Sequence, residues 1–176
     1  MKRTIPEGLD ANIENDSILI RRKWFSLKTI PLIFFCIAWD SFLVFWYSTV
    51  TKSESPMDLL AIIFPIGHVA VGVGLTYFCI ASLFNKTDIR ISPSLFSARS
   101  YPIPWTGNKE LKVDELHAVV VRERTSGGYN QSSFTVMYVD AQNKEKKLVR
   151  SLQHIEQANF IRDEISDLLN IDKIES

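Results

Sequence analysis

Two long apolar runs constrain this chain more than any other feature. "TIPLIFFCIAWDSFLVFWYSTV" covers Thr29–Val50, and "LLAIIFPIGHVAVGVGLTYFCIASLF" covers Leu59–Phe84. At about 1.5 Å per residue the first run reaches roughly 33 Å as a helix, the thickness of a bilayer's hydrocarbon core. The second is longer and spans with some tilt. Lipid offers the backbone no hydrogen-bond partners, so each run is predicted to be a helix. A short polar connector, "TKSESPMD" (residues 51–58), makes the two a transmembrane hairpin. The first run is not expected to be a cleaved signal peptide. A long polar segment precedes it, it exceeds a signal's apolar region in length, and a second span follows.

Flanking charge sets the orientation. Arg21, Arg22, Lys23 and Lys28 precede the first run, and Lys86, Arg90 and Arg99 follow the second, while the connector carries only Lys52. The positive-inside rule then places both termini in the cytoplasm of an inner-membrane, multi-pass protein, with 51–58 outside. Trp46 and Tyr47 are expected at the outer interface, and Trp24 and Phe25 at the inner one.

Beyond the second run the composition becomes that of a soluble domain, 85–176. "DIRISPSLFSARS" reads as two short strands around an "SPS" turn, and "PIPWTGNKE" as a Pro/Gly loop around Trp105. "ELHAVVVRER" and "SSFTVMYVD" are strong strand signals joined by the loop "TSGGYNQ". "AQNK" marks a turn into the short strand "KKLVRS". Ile155, Ala158, Ile161, Ile165 and Leu168 then form a helical stripe, with Ser151 as the expected N-cap. Ahead of the membrane, "SILIRRKWF" alternates like a strand that can pair with the later sheet, so 1–28 is a cytoplasmic segment with a strand of its own.

The strands after the second run, the "YPIPW" loop, the "VVVRER…GGYN…FTVMYVDAQNKEKKLVRSL" stretch and the closing amphipathic helix resemble bacterial pleckstrin-homology-like domains. The whole layout is similar to small two-span bacterial membrane proteins that carry such a domain, and "IPEGLDANIENDSILIRRKWF" fits the same pattern. The resemblance implies an α+β membrane protein: a helical hairpin plus a half-open barrel of antiparallel strands plugged by a C-terminal helix. It implies neither an enzyme nor a particular ligand, since fold alone does not give function.

Asp40 is the sharpest residue-level feature, a carboxylate in the middle of an apolar span. Counted from the connector, it lies about 15 Å deep and His68 about 13.5 Å deep. An ionisable group in lipid normally faces a partner, so an Asp40–His68 hydrogen bond or ion pair is expected. Two readings stand open: the pair locks the hairpin or an oligomer interface, or it is a proton- or ion-responsive site in an oligomer. Gly67, Ala70 and Gly74 offer a small-residue face for close approach. Pro65 removes one intrahelical hydrogen bond and is expected to kink the second span.

In the domain, Trp105 is either a plug under the sheet or a partner-contact aromatic, and Tyr129 beside Gly127 and Gly128 is a second contact candidate. Lys144, Lys146 and Arg150 are placed by alternation on one face, solvated or touching acidic headgroups; Arg21, Arg22 and Lys23 are further headgroup candidates.

Several classes are set aside. Lys+Arg and Asp+Glu are equal in number, 20 each, and residues 85–176 carry 13 of each sign, so no basic field collects nucleic acid. Catalytic and phosphate-binding motifs are absent, and the three histidines, His68, His117 and His154, are scattered without ligand spacing, so no metal or cofactor is expected. Cys36 and Cys79, counted from the connector, lie at different depths and are read as separate small hydrophobes. The remaining partners are the bilayer and a protein, or a second copy. The favoured class is a membrane-anchored binding or scaffolding module. An ion-responsive oligomer and anionic-lipid sensing are the alternatives.

Overall fold

A computed structural model describes residues 4–14, 16–50, 61, 63–126 and 131–174. The chain divides into two compact units, Met1–Lys23 with Lys86–Ser176, and Trp24–Asn85. It is an α+β protein with two long apolar helices and mainly antiparallel sheets.

The second unit contains α1 (Ile30–Val50) and α2 (Ile66–Phe84), both long and apolar enough to cross a membrane. Neither carries a charged residue in its first or last turn, and both leave most of their apolar surface outward. The regular part of α2 begins only after Pro65, which sits at its N-terminal boundary. The unit closes on itself where the Trp24 amide donates to the Asn85 carbonyl at 3.1 Å.

The first unit opens with β1 (Leu9–Glu14) and β2 (Ser17–Lys23), an antiparallel pair with Leu9 opposite Arg22. β3 (Lys86–Ile91) pairs antiparallel with β2, Ile20 opposite Ile89 and Lys23 opposite Lys86. The apolar segment is therefore inserted between two hydrogen-bonded neighbours. β4 (Leu95–Tyr101) and β5 (Lys109–Lys112) complete a five-stranded sheet in the order 1-2-3-4-5. A second sheet has the order 8-7-6-9, built from β6 (Ala118–Ser126), β7 (Gln131–Val139), β8 (Glu145–Leu152) and β9 (Asp172–Ile174). α3 (Ile155–Leu169) separates β8 from β9.

Period-two alternation sends Ile18 and Ile20 of β2, Ile89 and Ile91 of β3, and Phe96 and Ala98 of β4 into one core. From the other sheet come Val119, Val121, Val136 and Tyr138, and from α3 come Ala158, Phe160, Ile161 and Ile165. Each fully buried Ile, Val or Phe contributes about 1.5–3 kcal/mol. Helix α3 ends on Asn170 in the left-handed region, φ 50°, whose amide returns to the Ser166 carbonyl.

β8 departs from simple alternation. Its register against β7 shifts twice, so Leu148 and Val149 are both buried, and Ser151 takes φ 60°. Two expectations change as a result. Ser151 is not the N-cap of α3; that position is His154. Lys146 stands opposite Tyr138, while the shifts change Arg150's phase relative to it, so the two do not share one alternating face. β1, β5 and β9 are strands that alternation in the sequence did not disclose. β5 is four residues long and β9 three, and β9 is exposed throughout, which is too short and too polar for a periodic signal.

Candidate functional site

Within the helical unit, three contacts fix how α1 meets α2. Cys36 Sγ lies 3.4 Å from Cys79 Sγ, both buried. Thr76 Oγ1 donates to Asp40 Oδ2 at 2.6 Å. A Cβ on Gly72 would stand 2.7 Å from Asp40 Oδ1 and 3.4 Å from Leu43 Cδ1, so the bare glycine leaves space for the carboxyl.

This register corrects the count made from the connector. Asp40 sits against Gly72 and Thr76, not His68, and the two cysteines meet instead of lying at different depths. His68 is eight positions from Thr76, about 12 Å along the helix. Its ring stacks on Trp39, centroids 5.7 Å apart, and also approaches Phe64. The small residue at the helix contact is Gly72; Cβ atoms on Gly67 or Gly74 would meet nothing within 4 Å. The signal for Thr76 was present as a hydroxyl in an apolar span, but without the register nothing tied it to Asp40.

Pro65 has no N–H, so the Ala61 carbonyl four positions earlier loses its intrahelical donor. The Trp46 indole supplies one, Nε1 to Ala61 O at 3.2 Å. Trp46 is thus turned toward the second helical segment rather than serving only as an interfacial aromatic. Trp39 Nε1 donates similarly to His68 O at 3.3 Å. Beside these contacts runs a groove of about 860 Å³, lined by apolar side chains such as Val44, Val69, Val73 and Ile80, with Asp40 and Thr76 in its wall.

The β-domain uses most of the basic residues singled out above. Arg21 grips Asp88 with two hydrogen bonds, Nε–Oδ1 at 2.7 Å and Nη2–Oδ2 at 2.9 Å, and Tyr101 donates to Asp88 Oδ2 at 2.9 Å. The Arg21 guanidinium holds the Asp88 carboxyl below the usual carboxylate range, and burial followed by Asp88 pushes the Tyr101 hydroxyl up. Arg22 occupies a core-facing position of β2, only 8% exposed, and its Nη atoms donate to the carbonyls of Arg150 and Ser151 in the irregular part of β8. Burial lowers its pKa to about 10, which leaves it protonated at neutral pH. Arg22 is therefore a clamp between β2 and β8, which corrects its reading as a headgroup contact: no lipid phosphate reaches a side chain so enclosed.

Lys23 is exposed, 4.0 Å from Asp10. Lys146 pairs with Asp140 at 2.9 Å. That contact, with the amides of Lys144 and Gln142, lowers the Asp140 carboxyl to about 2. The Lys144 side chain is exposed. Arg150 is exposed as a residue, and its guanidinium lies against Gly107, whose φ of 107° suits glycine. Trp105 is half-buried in the β4–β5 loop, and Tyr129 lies outside the described residues. A cleft of about 590 Å³ on the β2–β5 sheet is lined by Asp88, Arg90, Arg99 and Tyr101 among others. Among the described residues no group of three or more His, Cys, Asp or Glu is placed to hold a metal.

Comparison with known proteins assigns no family: no protein-family model matches the chain, and no curated protein sequence matches it.

Proposed function

We propose that this protein is a membrane-anchored binding module. α1 and α2 cross the inner membrane as a hairpin, both termini lie in the cytoplasm, and a pleckstrin-homology-like β-domain meets a protein partner there. The observation that carries this reading is the insertion of the hairpin between β2 and β3, which pair with Lys23 opposite Lys86. Both ends of the hairpin leave from one folded domain, which suits an even number of crossings. β1 is the natural docking edge: it is an outer strand of its sheet, and Ile13 on it is 72% exposed. The reading assigns binding rather than catalysis.

Two measurements test it. In right-side-out vesicles, a Ser55→Cys label should be reachable from outside, and a Ser17→Cys label only after permeabilisation; the opposite pattern ends the topology. A photocrosslinking side chain in place of Asn12 on β1, or of Trp105, should yield one discrete adduct with another protein, unchanged by Asp40→Asn. Adducts only between copies of this chain would refute the scaffold reading.

A second reading, contact with anionic headgroups, rests on Arg90 and Arg99, which line the sheet cleft. It requires Arg90→Ala with Arg99→Ala to abolish any stabilisation of the full chain by phosphatidylglycerol over phosphatidylcholine.

A further inference from the structure

The groove beside Asp40 has the dimensions of a seat for a third helix. It follows α2 from Ile66 to Ile80, about 21 Å of helix, and α1 from Asp40 to Tyr47. Its walls are apolar or aromatic side chains apart from Asp40 and Thr76. Asp40 stands at the midpoint of α1. Among the described residues one neutral hydroxyl, that of Thr76, donates to it, whereas a carboxylate has about four acceptor positions. A carboxyl at mid-membrane calls for a cation or a further strong donor.

This chain cannot supply that cation from its own spans. α1 and α2 contain no Lys or Arg, and His68 is their only basic side chain. A second copy inserted in the same orientation is related by an axis along the bilayer normal, which keeps every residue at its own depth. Its His68 would stay one to two turns, about 6–12 Å, from the Gly72–Thr76 level where Asp40 sits, and in each copy that ring is stacked on Trp39.

We propose that the groove seats a transmembrane helix of another protein, one that carries a Lys or Arg side chain at mid-span and places it on the Asp40 carboxyl. The inference rests on the anchor reading above and deepens it: the module's partner is itself an integral membrane protein. Apolar packing against Val69 and Val73 gives the helix its seat, and the charge-assisted hydrogen bond fixes its depth and rotation.

The probe is a synthetic Leu/Ala-rich helix of about 23 residues with one central Lys, compared with the same helix bearing Leu there. The full chain, labelled at Ser55→Cys, is reconstituted in phosphatidylcholine vesicles, and association is read by energy transfer. Quenching of the connector label from one side scores insertion first. The Lys helix should bind about tenfold more tightly than the Leu helix. Asp40→Asn, which keeps an oxygen for Thr76, should erase the difference, as should Val73→Phe, which fills the groove. Equal binding of the two probes by an inserted chain overturns the inference and leaves the anchor reading intact. Displacement of the Lys probe by unlabelled chain overturns it in favour of a second copy. A chain that does not insert removes both.

Discussion

Replacing Trp46 with Phe removes one N–H donor and keeps an aromatic ring in the seam. If that N–H serves the carbonyl that Pro65 orphans, its loss leaves Ala61 C=O unpaired in an apolar setting. An unsatisfied buried acceptor costs about 1–3 kcal/mol in proteins. Polar contacts between membrane helices reach about 1.7 kcal/mol at most, so Trp46→Phe should destabilise the hairpin by about 1–1.5 kcal/mol. The geometry makes a sharper claim than the single variant. Pro65→Leu returns an amide four positions from Ala61, so the carbonyl regains its intrahelical donor. In that background Trp46→Phe should cost little, giving a coupling of about 1 kcal/mol in a double-mutant cycle. Unfolding of the full chain in bicelles by added SDS, followed by helical circular dichroism, supplies the four stabilities. Additive effects, within about 0.3 kcal/mol, would refute the reasoning even if both single variants were destabilised.

Three further outcomes follow from the geometry. Arg22→Lys should lower the β-domain's melting temperature almost as much as Arg22→Leu, since the donors of an ammonium leave a single nitrogen and cannot span two carbonyls as the separate Nη1 and Nη2 do; full rescue by Lys would remove the clamp. Asp140 has a folded pKa of about 2, below the ordinary value near 4, so its contribution is present above about pH 4 and is lost as pH falls through about 2. Asp140→Asn should flatten that part of the stability profile in melts taken across this range, and an unchanged slope would count against the Lys146 pairing. A mild oxidant should join Cys36 to Cys79 within one chain, and Gly72→Leu, which drives a side chain into Asp40, should reduce the yield several-fold; equal yields on a mass shift assay would contradict the register.

The legible parts of this fold were those carried by composition or spacing. The two apolar spans showed in their length and unbroken apolarity, β6 and β7 in their Val, Phe and Tyr content, and α3 in its helical stripe. Register was not legible. Asp40 and His68 have matching depth only if the connector is the common origin; the contact falls instead on Gly72 and Thr76, one to two turns further along α2. The basic stretch Arg21–Lys23 misled for a similar reason. Alternation says which positions of β2 face inward, yet Arg at an inward position looks like a topology charge until two backbone carbonyls of a bulged strand are seen to receive it. Nothing in "KKLVRS" announces that bulge.

That dual use of Arg21 and Arg22 does not conflict with the proposed orientation. The positive-inside bias is a property of charges flanking the spans during insertion, before distant strands exist to pair with them. Asp88 and the β8 carbonyls are reached only after the hairpin, since β3 and β8 follow it in the chain. The same order helps the domain close. Ile20 and Ile89 are far apart in sequence, and bringing such positions together from a flexible chain carries a loop-closure cost. A formed hairpin holds its own ends together, with the Trp24 amide on the Asn85 carbonyl at 3.1 Å. The next residues outward are Lys23 and Lys86, the first facing pair of β2 and β3. On the proposed topology the hairpin would anchor the chain, and its paired ends lead directly into the facing residues Lys23 and Lys86.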